Sequence, residues 1–321
     1  MLAPSEALPL YDVFIIGGGP AGLSAALILG RCRRNVLLCD AGKPRNASVR
    51  WMHGFLTRDG EDPKEFARVA REQIAPYPSV ELRPGEVIKA SREGEEFRIR
   101  LADGREERAR NVLLATGIVD VLPEIEGIRQ FYGRTVHHCP YCDGWEIRDK
   151  PIAVLGRGTG GVDLALEMIG WTRNITLCTN GPAPLPPACA QRLAKFGITV
   201  NPGIIAALEG EEDQLARVRF ADGSALHCAA LFFSSDQHQV CELARELGCT
   251  FCGPCVDHEN CVATGIPGVY VAGNTSKGLQ LVIMAAAEGA QAAYVMNQAM
   301  LEAEIHSMSL DEAAEVVLAE V

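Results

Sequence analysis

Two glycine-centred turns, GGGPAG at 17–22 and GRGTGG at 156–161, constrain this chain more than any other feature. Each follows an apolar run, opens a stretch of helix formers and is succeeded by a second apolar run. The first unit reads YDVFIIGGGPAGLSAALILGRCRRNVLLCD and the second PIAVLGRGTGGVDLALEMIGWTRNITLC. That order is a βαβ unit turned on glycine, which alone accepts the required backbone geometry without steric cost. Two such units predict an α/β fold with two related nucleotide-type domains. At 321 residues the chain has room for both.

The intervening sequence supports the same reading. EDPKEFARVAREQI (61–74) predicts a helix, and VELRPGEVIKA, FRIRLADG and ARNVLLATG predict strands, with Asp103-Gly104 as a hairpin turn. A second Asp-Gly hairpin lies in RVRFADGSALHCAALFF (217–233). GVYVAG (268–273) reads as a strand and LQLVIMAAAEGAQAAYVMNQAM (279–300) as a long helix. The acidic tail, with Leu310, Val316 and Val317, reads as a small packing helix or a frayed end.

Composition excludes several classes of function. A net charge of −11 argues against nucleic acid or an anionic membrane as partner. No stretch approaches the ~20 apolar residues of a membrane span. The start, MLAPSEALPLYDV, lacks a basic segment followed by an apolar one, so the expected location is the cytoplasm. There the twelve cysteines are expected mostly as thiols, and a special pair as catalytic or metal-binding.

The first turn, Gly17-x-Gly19-x-x-Gly22, brings backbone N–H groups and a helix N-terminus to a pyrophosphate, and Asp40 closes the second strand where a carboxylate meets ribose hydroxyls. The second turn, Gly156-x-Gly158-x-x-Gly161, has the same context without that acid. No arginine cluster follows it either; the next arginine after Arg173 is Arg192. The expectation is a nicotinamide-type domain with weak or absent NADPH or NADH binding.

HHCPYCDGWE (137–146) admits three readings: a metal site, idle thiols, or an electron-passing pair. Metal needs further ligands, and the adjacent His137 and His138 cannot readily wrap one tetrahedral ion with Cys139 and Cys142. The redox reading gains from Asp143, since exchange proceeds through the thiolate and must move a proton. A second pair, Cys252-Gly-Pro-Cys255, admits a redox reading or, with Cys249, His258 and Cys261, a metal reading. No βαβ helix begins at Cys255 and the stretch reads as hairpin or loop, so these are expected as incidental, reduced cysteines.

Taken together, GGGPAG, LLATG (113–117), CPYCDGWEIRDKPIAVLGRG (139–158), and PGVYVAGN followed by LQLVIMAAAEGAQAA resemble the low-molecular-weight thioredoxin reductases, FAD-dependent pyridine nucleotide-disulfide oxidoreductases. The resemblance spans about residues 10–300. It implies two Rossmann-like, three-layer ββα domains, the second inserted in the first. The FAD domain would be discontinuous, 1–119 plus 248–321, with the nicotinamide-type domain and its redox pair at 120–247. It also implies a homodimer.

Carried onto this sequence, the resemblance makes Cys142 the cysteine nearer the flavin, Cys139 the interchange thiol and Asp143 the acid/base. Gly17, Gly19, Pro20, Ala21 and Gly22 would cradle the FAD pyrophosphate, with Asp40 on the adenosine ribose. Ala115, Thr116 and Gly117 would pass along the cofactor. Gly273 and Asn274 would meet the ribityl chain, Asn274 replacing the usual aspartate. Gln280, Leu281 and Val282 would begin the helix facing the flavin. The family's His-Arg-Arg signature for NADPH is replaced by Cys178-Thr179-Asn180. Pro140-Tyr141 replaces two small residues inside the dithiol, and SSDQHQ (234–239) lacks a usual glycine.

The expected function is a FAD-dependent disulfide oxidoreductase, serving a thioredoxin-like protein or a small dithiol or disulfide. A dithiol oxidase passing electrons to oxygen is an alternative, and a non-catalytic flavin redox sensor is an alternative of another class.

Overall fold

The computed structural model describes residues 8–258 and 262–319, with side chains as far as residue 308. From the N-terminus run β1 (Leu10–Ile16), α1 (Pro20–Arg31), β2 (Val36–Asp40), α2 (Pro63–Ile74), β3 (Val80–Pro84), β4 (Val87–Glu93), β5 (Glu96–Leu101) and β6 (Glu106–Leu114). There follow β7 (Ile118–Val121), α3 (Ile128–Phe131), β8 (Val136–His137), the one-turn α4 (Pro140–Asp143), β9 (Ile152–Leu155), α5 (Gly158–Glu167) and β10 (Ile175–Cys178). Next come α6 (Pro187–Lys195), β11 (Thr199–Asn201), β12 (Ile205–Glu211), β13 (Gln214–Phe220), β14 (Ala225–His227), β15 (Ala230–Phe233) and β16 (Asp236–Gln239). The chain ends with α7 (Leu243–Glu246), β17 (Phe251–Cys252), β18 (Cys255–Val256), β19 (Val269–Val271) and α8 (Val282–Ala319).

These elements form two compact units. Unit 1 comprises Met1–Arg45, Lys64–Val119 and Gln239–Val321, and unit 2 comprises Asn46–Pro63 and Asp120–His238. Segment Asn46–Pro63, read from sequence as part of the first domain, groups with unit 2, and the chain returns to unit 1 at Gln239. The segment is held locally: the backbone of Ser48 lies against Gly133, whose φ of 76° and lack of Cβ permit the approach. His53 Nε2 sits 3.6 Å from a Glu146 carboxylate oxygen.

Unit 1 is built on a sheet of order β3-β2-β1-β6-β5-β4, with β19 also on β6. Strands β3, β2, β1, β6 and β19 pair in parallel, and β4, β5 and β6 are antiparallel. Strand β1 shows why its sequence is apolar almost throughout. Phe14 and Ile16 pack into one core with Leu37, Phe97 and Ile99, while Val13 and Ile15 point into another with Leu29, Leu38 and Met296. Alternate residues leave opposite faces of a strand, and here both faces are covered.

Helix α1 is made of small and aliphatic residues because it is packed closely against α8. A Cβ on Gly289 would lie 2.0 Å from the carbonyl oxygen of Ala21, so these helices approach backbone to backbone. Gly289→Ala must push α8 off α1, and we expect a loss of about 1–3 kcal/mol. Thermal or urea unfolding of the variant measures it; an unchanged midpoint would show that the helices can part freely.

Unit 2 has a parallel sheet of order β11-β10-β9-β15-β8 and an antiparallel sheet of order β12-β13-β14. Phe131, Val136, Val218, Phe220 and Phe233 fill one core, and Val154, Val162, Leu177, Leu193 and Phe232 fill a second that includes α5 and α6. Sheet, sheet and helices make the expected three layers. Both Asp-Gly hairpins form, between β5 and β6 and between β13 and β14.

The C-terminus differs from the sequence reading. The helix expected over 279–300 starts at Val282 and continues to Ala319, so Gln280 and Leu281 lie before it and, among the described residues, the tail is part of α8 rather than a separate helix. Leu310, Val316 and Val317 belong to the part whose side chains lie outside the described residues.

Candidate active site

The pair in unit 2 is a disulfide, Cys139–Cys142, with an S–S distance of 2.03 Å. Cys139 caps α4, its sulfur accepting the Cys142 N–H at 3.2 Å. Pro140 occupies the first helical position, where a missing N–H costs nothing. Gly144 ends the turn under the ring of Trp171, which a Cβ would meet at 2.7 Å, and Tyr141 stands edge-on to the same ring. The Pro-Tyr insertion thus fits the local geometry and leaves Tyr141 65% exposed beside the sulfurs.

Sequence reasoning placed a proton-handling group at Asp143 and missed its partner. His137 Nδ1 lies 3.2 Å from Asp143 Oδ1, and the imidazole is buried against the ring of Phe232 at 5.3 Å between centroids. Strand β8 positions His137 by pairing with β15, Phe232 opposite His137. The neighbouring His138 enters a different network: its Nδ1 is 3.1 Å from the Tyr132 hydroxyl, which donates to Asp120. Ser235 and Gln237, from the segment lacking the expected glycine, also donate to Asp120. The two histidines therefore serve two carboxylates.

In unit 1 the first glycine turn is shaped by three close approaches. Gly17 has φ of 112° and would drive a Cβ into the Ala115 carbonyl oxygen; a Cβ on Gly22 would strike the Gly17 oxygen; one on Gly18 would strike Asp40 Oδ2. Gly18, in the variable place of the motif, thus meets the Asp40 side chain, whereas Gly17 and Gly22 meet backbone. Around Gly19 the space is open. Helix α1 carries Pro20 at its first position and no side-chain cap, so its N-terminal N–H groups are available beside that space. This is a cradle that fits a dinucleotide pyrophosphate. Asp40 stands at the rim, accepting from Gly42 N–H at 3.1 Å and Arg71 at 2.7 Å.

Thr275 ties the remaining expected residues together. Its hydroxyl accepts the Gly117 N–H at 2.6 Å and is 3.3 Å from the Thr116 hydroxyl. Backbone pairing of Ala272 with Leu114 sets Ala115–Gly117 alongside Gly273 and Asn274. Glu288, inside the LQLVIMAAAEGAQAA stretch but not among the expected site residues, reaches back from α8 to accept the Gly273 N–H and the Ser276 hydroxyl, both at 2.8 Å. Burial pushes its carboxyl above the ordinary range, while those two donors pull it down. Gln280 accepts from Arg45 at 2.8 Å just before α8 begins.

The second glycine turn sets Arg157 beside the end of β10, with open space around Gly158 and Gly160. Gly156 and Gly161 are in close backbone contact, as a βαβ turn requires. Arg157 then folds across the end of β10, donating to the carbonyls of Thr179 (2.8 Å) and Asn180. Cys178 and Thr179 are buried, and the Asn180 side chain accepts the Ile205 N–H. None of the three residues standing in the His-Arg-Arg position turns a cation outward. A cleft of about 690 Å³ nearby is lined by Asp163 and Glu167 as well as Arg192, and Arg192 pairs with Asp163 at 3.2 Å.

Residues 11–289 match the family model described as pyridine nucleotide-disulphide oxidoreductase. The chain belongs to that family. Among its relatives is the thioredoxin reductase tcpT of Claviceps purpurea, 33% identical over 228 residues, covering 67% of this chain and 70% of that one. The thioredoxin reductase sirT of Leptosphaeria maculans is 28% identical over 94% of this chain and 97% of its own. In structure the chain is similar to HlmI, with a TM-score of 0.91 at 34% identity over 95% of this chain and 97% of that one. The protein is thus a thioredoxin reductase-like, FAD-dependent disulfide oxidoreductase. Among the described residues, no helix of this oxidoreductase is long and apolar enough to cross a membrane.

Proposed function

We propose that this oxidoreductase exchanges two electrons between FAD held by unit 1 and the Cys139–Cys142 disulfide of unit 2, and then with a thioredoxin-like protein or a small disulfide, with little or no use of NADPH or NADH. The observation that carries the reading is the disulfide on α4 with the His137–Asp143 pair beside it. The open space at Gly19, the uncapped α1 and the Gly273–Thr275 turn are the groups that would hold FAD. Bound FAD supplies the two-electron carrier.

The chain's own residues handle sulfur and protons. When the disulfide opens, the Cys142 N–H is in place to stabilise a Cys139 thiolate, the form that attacks a partner disulfide. Asp143 would take up or return the proton at the Cys142 sulfur, and His137, buried with its Nδ1 3.2 Å from Asp143 Oδ1, would keep the carboxylate oriented. The roles of Cys139 as interchange thiol and Cys142 as flavin-side sulfur follow the thioredoxin reductase likeness, since both are partly buried. The same likeness supports a cytoplasmic homodimer, which sedimentation of the purified protein would test.

Little nicotinamide use is argued from Arg157. Its guanidinium lies over the strand end where the adenosine ribose of a dinucleotide belongs, tied to the Thr179 and Asn180 carbonyls, and Cys178-Thr179-Asn180 supplies neither an acid nor a cation there. The same observation favours a second reading, a dithiol oxidase that takes electrons from a dithiol and gives them to oxygen. Anaerobic mixing separates these readings. We expect dithiothreitol to bleach the flavin absorption at least 100-fold faster than equal NADPH or NADH. Air would then restore the absorption with peroxide formed if the oxidase reading holds, and a disulfide-bearing acceptor would be needed if it does not. Equal bleaching by NADPH would sink the claim about Arg157.

A further inference from the structure

We propose that Cys252 and Cys255 form a second dithiol–disulfide couple in unit 1, one that exchanges with low-molecular-weight disulfides. The pair stands apart from the Cys139–Cys142 bridge in sequence and is not used by the chemistry assigned above.

Geometry is the main argument. Strands β17 and β18 form a two-residue hairpin in which Cys252 is paired directly with Cys255. Gly253, with φ of 60°, makes the turn together with Pro254. Directly opposed residues of an antiparallel pair project to the same face with Cα atoms roughly 4.5–5.5 Å apart. A disulfide needs about 4.4–6.8 Å. Cys252 and Cys255 are both thiols in this structure, and their paired backbone positions fall in the spacing a bridge needs.

The hairpin is fixed from outside, so the two thiols cannot drift apart. Gln239 Nε2 donates to the Pro254 carbonyl at 2.7 Å, and Asp257 N–H donates to Thr250 at 2.9 Å. Val256 bridges to Ser276, and Lys277 N–H donates to its carbonyl at 3.3 Å. Cys255 is buried, its sulfur 3.8 Å from the Asn274 carbonyl oxygen. Cys252 is exposed, within electrostatic reach of the Lys277 ammonium. One accessible thiol and one sheltered thiol are the arrangement of an attacking and a resolving cysteine.

Nearness alone would not suffice. Cys178 and Cys228 are also close enough to sense one another, but both are buried and burial pushes each thiol up to about 12. At neutral pH they stay protonated and sealed from a disulfide in solution.

The exchange balances as follows. The Cys252 thiolate attacks one sulfur of R–S–S–R, forming a Cys252–S–S–R bond and releasing RS⁻, which takes the proton Cys252 lost. Cys255 then attacks the Cys252 sulfur, expelling the second RS⁻, which takes the proton from Cys255. The net change is two protein thiols oxidised to one disulfide and R–S–S–R reduced to two RSH.

The test uses the reduced, FAD-loaded full chain in glutathione/glutathione-disulfide buffers of increasing oxidising strength. After acid quenching and maleimide alkylation, the peptide carrying these residues is mapped by fragmentation. We expect the two maleimides on Cys252 and Cys255 to disappear together, leaving a Cys252–Cys255 bridge. Cys255→Ser should stop at a glutathione adduct on Cys252, and Cys252→Ser should keep Cys255 as a thiol. Retention of both maleimides throughout, an adduct on Cys252 that never resolves in the unmodified protein, or a bridge from either residue to Cys249 or Cys261 would each overturn the proposal. The Cys139–Cys142 peptide is read in the same digest, so failure of one couple is distinguishable from failure of the other.

Discussion

Serine in place of Cys142 is expected to lower kcat for disulfide exchange by about 10³-fold or more, because a single thiol cannot expel its partner by closing a ring. The argument rests on the Cys139–Cys142 bridge and its placement on a one-turn helix that keeps both sulfurs on one short arc. In Cys142→Ser the Cys139 sulfur remains at the cap and still attacks. The variant should therefore accumulate a stable mixed disulfide on Cys139 when offered an oxidised thioredoxin-like protein or a small aromatic disulfide. Mass spectrometry of the quenched reaction measures that adduct. Turnover at the unmodified rate, or an adduct found elsewhere, would refute the assignment of this pair as the working dithiol. The variant should keep its yellow colour, since unit 1 carries the residues that would hold FAD.

The second large effect belongs to Asp143. Asp143→Asn keeps the shape of the side chain beside His137 but removes the proton acceptor, and general acid–base assistance contributes typically 10²–10⁴-fold. We expect kcat to fall by about that factor while the Cys139–Cys142 bridge still forms in air. A merely structural role predicts instead that rate and stability fall together. The discriminating measurement sets kcat beside the unfolding midpoint: Asp143→Asn should lose the rate and keep the midpoint, and Asp143→Glu should recover part of the rate. An unchanged kcat in Asp143→Asn would move the proton chemistry to solvent.

What can be read locally in the sequence is a matter of backbone sterics and neighbouring residues. Gly17 needs its φ of 112° and Gly22 must clear the Gly17 oxygen, so any chain making that turn shows those glycines at that spacing. The Cys139-Pro-Tyr-Cys142 turn and the Asp143 that follows it are likewise set within five residues of chain. Helix α8 shows the limit of the same reasoning. Its start slipped to Val282 and its end ran on to Ala319, because helix propensity fixes neither end without a cap.

The sequence by itself determined the two-unit α/β architecture, the disulfide oxidoreductase family, the glycine turn at 17–22, the Cys139-x-x-Cys142 pair and a second glycine turn without the usual selectivity residues. Only the tertiary structure decided which side chains complete those sites. His137 meets Asp143 because β8 pairs with β15; Glu288 meets Gly273 because α8 packs on α1; Arg157 covers the end of β10 because two parallel strands bring distant carbonyls within reach of one guanidinium. A turn is specified by the residues that make it. A hydrogen-bond partner across a sheet or between helices is specified by packing, which no stretch of sequence carries alone.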